Sequence, residues 1–66
     1  MMEQYFAGSK VWFARLDLGL TQKQLAEKLG VTREYINYIE NDKKPLTRQL
    51  INKLVKITGK PSTHWR

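Results

Sequence analysis

Side chains able to hydrogen-bond with the edges of DNA bases recur in the segment 32–40, Thr-Arg-Glu-Tyr-Ile-Asn-Tyr-Ile-Glu. At helical spacing Arg33, Glu34, Asn37 and Tyr38 share one polar face, with Tyr35 at its edge. An arginine can donate two hydrogen bonds to guanine, an asparagine can pair with adenine, and a glutamate can accept from cytosine. A tyrosine can contact a thymine methyl group or a phosphate. These residues predict a helix face that reads bases.

Each of these side chains also has a simpler interpretation that the sequence leaves open. Arg33 can contact a phosphate or remain solvated, and Glu34 can stabilise the start of a helix through the helix dipole. A carboxylate beside phosphates is repelled, so Glu34 reads a base only if it accepts from a cytosine amino group. Asn37 and Tyr38 can simply face solvent.

Two short helices would position this face. Thr21 and Gln24 have the spacing of a capping box, in which each side chain bonds the backbone amide of the other residue. Gly30 follows the apolar stripe of that helix and can take the left-handed conformation that ends it. Thr32 is a second capping residue and begins a helix that runs to about Glu40. Two helices joined in this way form a helix-turn-helix unit, whose second helix fits the major groove of DNA.

Basic residues surround the predicted unit. Lys43, Lys44 and Arg48 follow the second helix, and Lys23 lies near the start of the first. We expect these four to neutralise DNA phosphates, which would make binding fall steeply with salt. The alternative is an ordinary solvated loop, and Lys28 is expected to be solvated in either case.

Composition limits the classes of function. The 66 residues form one domain, 1–66, with a net charge of +6, no cysteine and a single histidine, His64. The charge favours a polyanionic partner, and the lack of cysteine is compatible with a reducing cytoplasm, where we expect the protein to act. No apolar run approaches the ~20 residues of a membrane span. We expect no enzyme activity, metal site or cofactor, since no nucleophile–base pair, phosphate loop or metal-ligand cluster is found.

The flanking segments predict further helices. The first helix runs from about Glu3 to Leu18, or from Lys10 if Ser9 caps it. The last runs from Thr47 to Thr58 and ends at Gly59, after a loop over 41–45 in which Asn and Asp tolerate a positive φ. Residues expected to face the core are Val11, Ala14, Leu16, Leu18, Leu46, Leu50, Ile51, Leu54, Val55 and Ile57. The prediction is an all-α bundle of four helices and the stub of a fifth near Ser62.

Aromatic residues at both ends of the chain have two interpretations. Trp12 and Phe13, with Tyr5 and Phe6, can form an apolar patch that binds a protein partner or a second copy of the chain. Alternatively, the phenylalanines cover the small core and Trp12 packs under the C-terminal tail. Trp65 is either a lid on the core or part of such an interface.

With these residues in place, the sequence resembles the Cro/CI (XRE) family of helix-turn-helix repressors, which has the lambda-repressor-like fold. The resemblance covers about residues 8–59. The matching residues are Gly8, Val11, Arg15, Gly19-Leu20-Thr21-Gln22, Leu25-Ala26, Leu29-Gly30-Val31-Thr32, Ile36, Ile39-Glu40-Asn41 and Pro45.

The family resemblance implies roles for individual residues. Gln22 would contact the DNA backbone and support a neighbouring base-reading side chain, and Asn41 would touch phosphates. Arg15 and Glu40 would form an ion pair that fixes the angle of the second helix of the unit. The full set of implied or expected DNA contacts is Gln22, Lys23, Thr32, Arg33, Glu34, Tyr35, Asn37, Tyr38, Asn41, Lys43, Lys44 and Arg48.

The resulting hypothesis is a sequence-specific regulator of transcription that binds double-stranded DNA. If it represses, it would do so by covering an operator. The alternative is an antitoxin or co-regulator of the same fold that binds another protein through Trp12, Phe13 and Trp65. Relatives commonly form homodimers through a fifth helix, of which only Ser62 to Arg66 is present here. A nonspecific nucleic-acid binder is the third interpretation.

Overall fold

The computed structural model describes residues 4–66. It contains two short strands, four α-helices and a 3₁₀ helix: β1 (Gln4–Tyr5), α1 (Gly8–Asp17), α2 (Gln22–Leu29), α3 (Arg33–Glu40), β2 (Leu46–Thr47), α4 (Arg48–Thr58) and the C-terminal 3₁₀ helix (Ser62–Trp65). The prediction of four helices with the stub of a fifth is confirmed, and the two strands are an addition to it.

Three of the four α-helices begin at a threonine whose side-chain oxygen accepts a backbone amide. Thr21 accepts from Gln24 at 3.1 Å, while the Thr21 amide donates to the Gln24 side chain at 2.9 Å, which completes the predicted capping box. At α3 and α4 the side-chain oxygens of Thr32 and Thr47 accept the amides of Tyr35 and Leu50, at 3.1 Å and 3.3 Å. Each cap satisfies an amide that a helix start would otherwise leave unpaired.

The start of the first helix was wrongly predicted. Gln4 and Tyr5 belong to β1, which pairs antiparallel with β2, so that Gln4 lies opposite Thr47 and Tyr5 opposite Leu46. Glu3 lies outside the described residues, and α1 begins at Gly8 rather than at either expected position. The strand pairing gives residues 4–5 backbone partners in a distant segment, which hydrophobic spacing along the chain does not reveal.

The core lies where α1, α2, α3 and α4 meet. The buried apolar side chains are Ala7, Val11, Ala14, Leu25, Ala26, Leu29, Ile36, Ile39, Leu46, Leu50, Ile51, Leu54 and Trp65. Val55 and Ile57 pack partly against this cluster. The stripe predicted for the last helix is therefore confirmed, except that Leu46 lies in β2 rather than in α4.

Two apolar side chains of the N-terminal region, Leu16 and Leu18, were wrongly expected to face the core, since both are exposed. Phe6 and Phe13 are exposed as well, so the interpretation in which they cover the core is wrong. At about 100° per residue, Leu16 points about 140° away from Val11, which faces the core. Leu18 follows the last residue of α1, so it does not continue the buried face of that helix.

The two tryptophans have opposite environments. Trp65 is fully buried, because the C-terminal 3₁₀ helix packs against α4 and turns this side chain into the core. The interpretation of Trp65 as an interface residue is therefore wrong, and that of a core lid is correct. Trp12 is exposed, and its ring lies edge-on to the Phe13 ring, with the two ring centroids 4.9 Å apart. Trp12 is therefore not buried beneath the C-terminal tail.

Candidate nucleic-acid interface

The turn between α2 and α3 is built around Gly30. This glycine has φ = 72°, in the left-handed region, and the following Val31 amide donates to the Ala26 carbonyl at 3.0 Å. Such a bond across the helix end satisfies carbonyl groups that the last turn leaves free. The predicted glycine turn is confirmed, and α3 starts three residues after Gly30.

An ion pair joins α1 to the C-terminal end of α3. The Arg15 Nε donates to Glu40 Oε2 at 2.7 Å, and a second guanidinium nitrogen donates to Oε1 at 3.2 Å. The third nitrogen donates to the Leu20 carbonyl at 3.0 Å. The side chains are 13% and 5% exposed, so this forked pair is largely removed from water. One guanidinium thus connects α1, the loop before α2 and α3.

Gln22 connects the first turn of α2 to α3. Its amide nitrogen donates to Glu40 Oε1 at 3.1 Å and makes a weaker contact with Asn37 Oδ1 at 3.5 Å. The Asn41 amide nitrogen donates to the same Asn37 oxygen at 3.1 Å and to the Asn37 carbonyl at 2.8 Å. These contacts set the orientation of Asn37, one of the predicted base-reading side chains.

The N-terminal end of α3 is more open to solvent. The Arg33 and Glu34 side chains are 61% and 66% exposed, and their closest charged atoms are 3.8 Å apart. Tyr38 is also exposed, whereas Tyr35 is half-buried and packs partly against the core. Arg33, Glu34 and Tyr38 therefore have the free surface that contact with a ligand requires, and Tyr35 has less of it.

An open hollow brings Arg33 together with residues of α2. Gln22 and Lys23 lie on its α2 side, at the first turn of that helix. The remaining lining residues are Arg15, Leu16, Gly19, Leu20 and Thr21. The structure thus places three of the predicted DNA contacts around one concave surface.

The loop after α3 folds back onto that helix. The backbone amides of Lys43 and Lys44 both donate to the Tyr38 carbonyl, at 2.8 Å and 3.2 Å. Both lysines are exposed, and so is Arg48 in the first turn of α4. The short strand β2 separates the lysines from Arg48 along the chain. The ion pairs found among residues 4–66 include none of these three side chains.

Sequence reasoning missed a contact at the end of α3. The amide of Gly8, at the start of α1, donates to Asp42 Oδ1 at 2.9 Å. The tolerance of this loop for a positive φ was predicted, and Asp42 has φ = 58°. The partner of its carboxylate was not predicted, because the two residues are 34 positions apart.

The geometry defines a helix-turn-helix unit formed by α2, the Gly30 turn and α3. A family model described as helix-turn-helix (HTH_3) matches residues 13–65. The chain therefore belongs to the Cro/CI-type (XRE) helix-turn-helix family of DNA-binding transcriptional regulators.

Two proteins of similar sequence are regulators. A propionyl-CoA carboxylase regulator from Cereibacter sphaeroides is 37% identical over 59 residues, covering 89% of this chain and 13% of that protein. The HTH-type transcriptional regulator RamB from Mycobacterium tuberculosis is 32% identical over 62 residues, with 94% and 13% covered. The chain thus spans 13% of the length of these two relatives.

Solved structures show the same fold. The crystal structure of the clp gene regulator ClgR from Corynebacterium glutamicum matches with a TM-score of 0.77 at 24% identity, covering 88% of this chain and 62% of that one. Within residues 4–66, none of the helices has the length and apolar character needed to cross a membrane.

Proposed function

We propose that this domain binds double-stranded DNA sequence-specifically, with α3 in the major groove, and thereby represses transcription by covering an operator. The observation that supports the proposal is the geometry of α3. The C-terminal end of α3 is bonded to α1 and α2. Elsewhere on α3, the side chains of Arg33, Glu34 and Tyr38 extend into solvent. A helix presented in this way can enter a groove without first losing contacts to the rest of the domain.

Base reading is assigned to four residues of α3. Arg33 would donate to guanine and Asn37 would contact adenine, while Glu34 and Tyr38 would contact cytosine and thymine. Asn37 Oδ1 already accepts hydrogen bonds within the protein, so its pairing with a base depends on the free amide hydrogens or on exchange of these bonds. Tyr35 would contribute only at the rim.

Phosphate contacts are assigned to residues on either side of α3. These are Gln22, Lys23, Thr32, Asn41, Lys43, Lys44 and Arg48. When a lysine or arginine that neutralises a phosphate is replaced by alanine, the negative slope of log affinity against log salt concentration should become less steep by about 0.9. The slope therefore separates phosphate contacts from solvated cations.

Selection of bound sequences from a random duplex library tests the proposal. The experiment is done at about 0.15 M salt, so that long-range attraction to any DNA is screened. Recovery of a defined motif is expected. A palindrome with half-sites about 34–36 Å apart would indicate two copies on the DNA. A failure to enrich any sequence would contradict sequence-specific binding.

A second candidate function is protein binding through α1. Trp12 and Phe13 are 41% and 60% exposed, and Leu16 adds to the same apolar surface. Such clusters are found where proteins meet. We propose this surface as the contact of an antitoxin or co-regulator with an apolar partner surface, a second copy of the chain included. Sedimentation of the Trp12→Ala variant tests it, since self-association should fall while DNA binding remains.

A further inference from the structure

Asp42 has a backbone conformation that is unfavourable for its residue type. Among residues 4–66 it is the only residue other than glycine with a positive φ, at 58°. This left-handed conformation costs free energy for a side chain with a Cβ atom, although Asp tolerates it better than most. A contact made by the Asp42 side chain can offset that cost.

The carboxylate of Asp42 supplies a cap that α1 lacks locally. Ala7 occupies the N-cap position of α1 and has no side-chain oxygen to accept an amide. Asp42 Oδ1 accepts the Gly8 amide at 2.9 Å instead, from a loop 34 positions away. A carboxylate also interacts favourably with the positive end of the helix dipole.

Gly8 is needed for the close approach that this cap requires. A Cβ atom at position 8 would lie 2.5 Å from the carbonyl oxygens of both Ile39 and Glu40, and 2.7 Å from Asp42 Oδ1. The backbone at the start of α1 therefore lies directly against the backbone at the end of α3. The two helix ends carry opposite partial charges, so their proximity is favourable.

We propose that Asp42 is a positioning residue for DNA reading, which fixes the C-terminal end of α3 against α1 without touching a base. Together with the Arg15–Glu40 pair it gives α1 two separate attachments to α3. These attachments set the direction of α3 and the path of the loop that carries Lys43 and Lys44. The proposal rests on the proposed function, because it concerns how that function's reading helix is oriented.

The negative charge of Asp42, taken alone, would weaken the binding of DNA. Asp42 places a negative charge between Asn41 and the two lysines, where it repels DNA phosphates. Replacing it would raise affinity for every DNA sequence if its charge were the only effect. A loss of affinity for one sequence would therefore have to come from the cap.

Two variants of equal charge separate these effects. Asp42→Asn and Asp42→Gly both remove one negative charge, and both residues tolerate the left-handed conformation. Only asparagine retains an oxygen that can accept the Gly8 amide. Both are titrated with the library-selected duplex and with a scrambled duplex, well below their unfolding temperatures.

The ratio of the two affinities is the decisive result. For the selected duplex we expect Asp42→Gly to bind about 2- to 10-fold more weakly than Asp42→Asn, the range for one net hydrogen bond. For the scrambled duplex we expect equal binding, since phosphate contacts do not require the same orientation of α3. Equal affinities for the selected duplex would overturn the proposal.

Hydrogen exchange without DNA tests the contact independently. The Gly8 amide should exchange about tenfold faster in Asp42→Gly than in Asp42→Asn, and amides in the last turn of α3 should also exchange faster. Unchanged exchange would overturn the proposal even if DNA binding is specific. If the wild-type protein selects no sequence, the proposed function fails, and the exchange data still decide whether Asp42 positions α3.

Discussion

The two ends of α3 differ in how they are attached to the rest of the domain. At the anchored end, Glu40 is bonded to Arg15 and Gln22, and Asp42 just beyond it accepts the Gly8 amide. At the open end, Arg33 and Glu34 are mostly exposed, and their one mutual contact is a 3.8 Å ion pair. Four hydrogen bonds from residues of α1 and α2 reach the anchored end. The open end begins with a local cap, in which Thr32 accepts the Tyr35 amide.

Because of this difference, one set of residues fixes the direction of α3 and another set remains available for contact with a ligand. The anchored end fixes where α3 points, so its orientation need not be gained when a ligand binds. The open end keeps its hydrogen-bonding groups available, because they are not used in the fold. Substitutions at the anchored end should therefore affect folding first, and those at the open end should affect binding alone.

Removal of Arg15 should have the largest effect. The Glu40 side chain is 5% exposed in the structure and is paired with Arg15, and Arg15→Ala removes that charged partner. Leaving such a buried charge unpaired costs about 3–5 kcal/mol. Urea unfolding should show this as a lower free energy of unfolding. The conservative Arg15→Lys should lower that free energy less, because lysine retains the charge although it cannot form both hydrogen bonds of the guanidinium group.

The control for that experiment is Lys10→Ala, which removes one positive charge from the same helix. Its side chain makes an exposed contact to the Arg66 carbonyl at 3.2 Å, so we expect a change of about 0.5 kcal/mol or less. If Arg15→Ala were no more destabilising than this control, the distinction between the two ends would lose its energetic basis.

Removal of Arg33 should affect binding without affecting stability. Its side chain is 61% exposed, so Arg33→Ala should leave urea unfolding unchanged within about 0.5 kcal/mol. Discrimination at one base position should fall by about 1–3 kcal/mol if the guanidinium reads a guanine. Fluorescence titration with the selected duplex and with single-base variants of it measures this.

Lys28→Ala is the matched control for Arg33→Ala. It also removes one positive charge, from an exposed position in the last turn of α2. We expect it to leave base preference intact. An Arg33→Ala protein with unchanged affinity and preference would mean that the open end of α3 does not read bases.

Local features of the fold were predictable from the sequence. The caps at Thr21 and Thr32 and the turn at Gly30 each depend on residues within a few positions, so spacing alone indicates them. The buried stripe of α4 follows from its apolar period. The Arg15–Glu40 contact was indicated only by the family resemblance, because 25 positions separate the two residues.

Contacts between distant segments were not predictable. The pairing of Gln4 with Thr47 and the bond from Gly8 to Asp42 join the two halves of the chain, and neither has a local signal. Whether Trp12 and Trp65 are exposed or buried also depends on tertiary packing. Both are large and apolar, but only the path of the C-terminal 3₁₀ helix decides that Trp65 is inside.

The smallest expected effect lies at the link between the two ends. Gln22 is bonded to Glu40 at the anchored end and contacts Asn37, a predicted base-reading residue, at 3.5 Å. A double-mutant cycle with Gln22→Ala and Asn37→Ala should therefore show a coupling of about 0.5–1 kcal/mol in affinity for the selected duplex. Its reason is that Gln22 helps to orient the Asn37 amide.

The same cycle with Gln22→Ala and Tyr38→Ala provides the comparison, because Tyr38 has no side-chain bond to Gln22 among the described residues. We expect additive effects there, within about 0.3–0.5 kcal/mol. Additivity in the Asn37 cycle as well would mean that Gln22 acts on DNA directly. Asn37 would then belong with Arg33 at the open end, and the boundary between anchored and open residues would lie between Asn37 and Glu40.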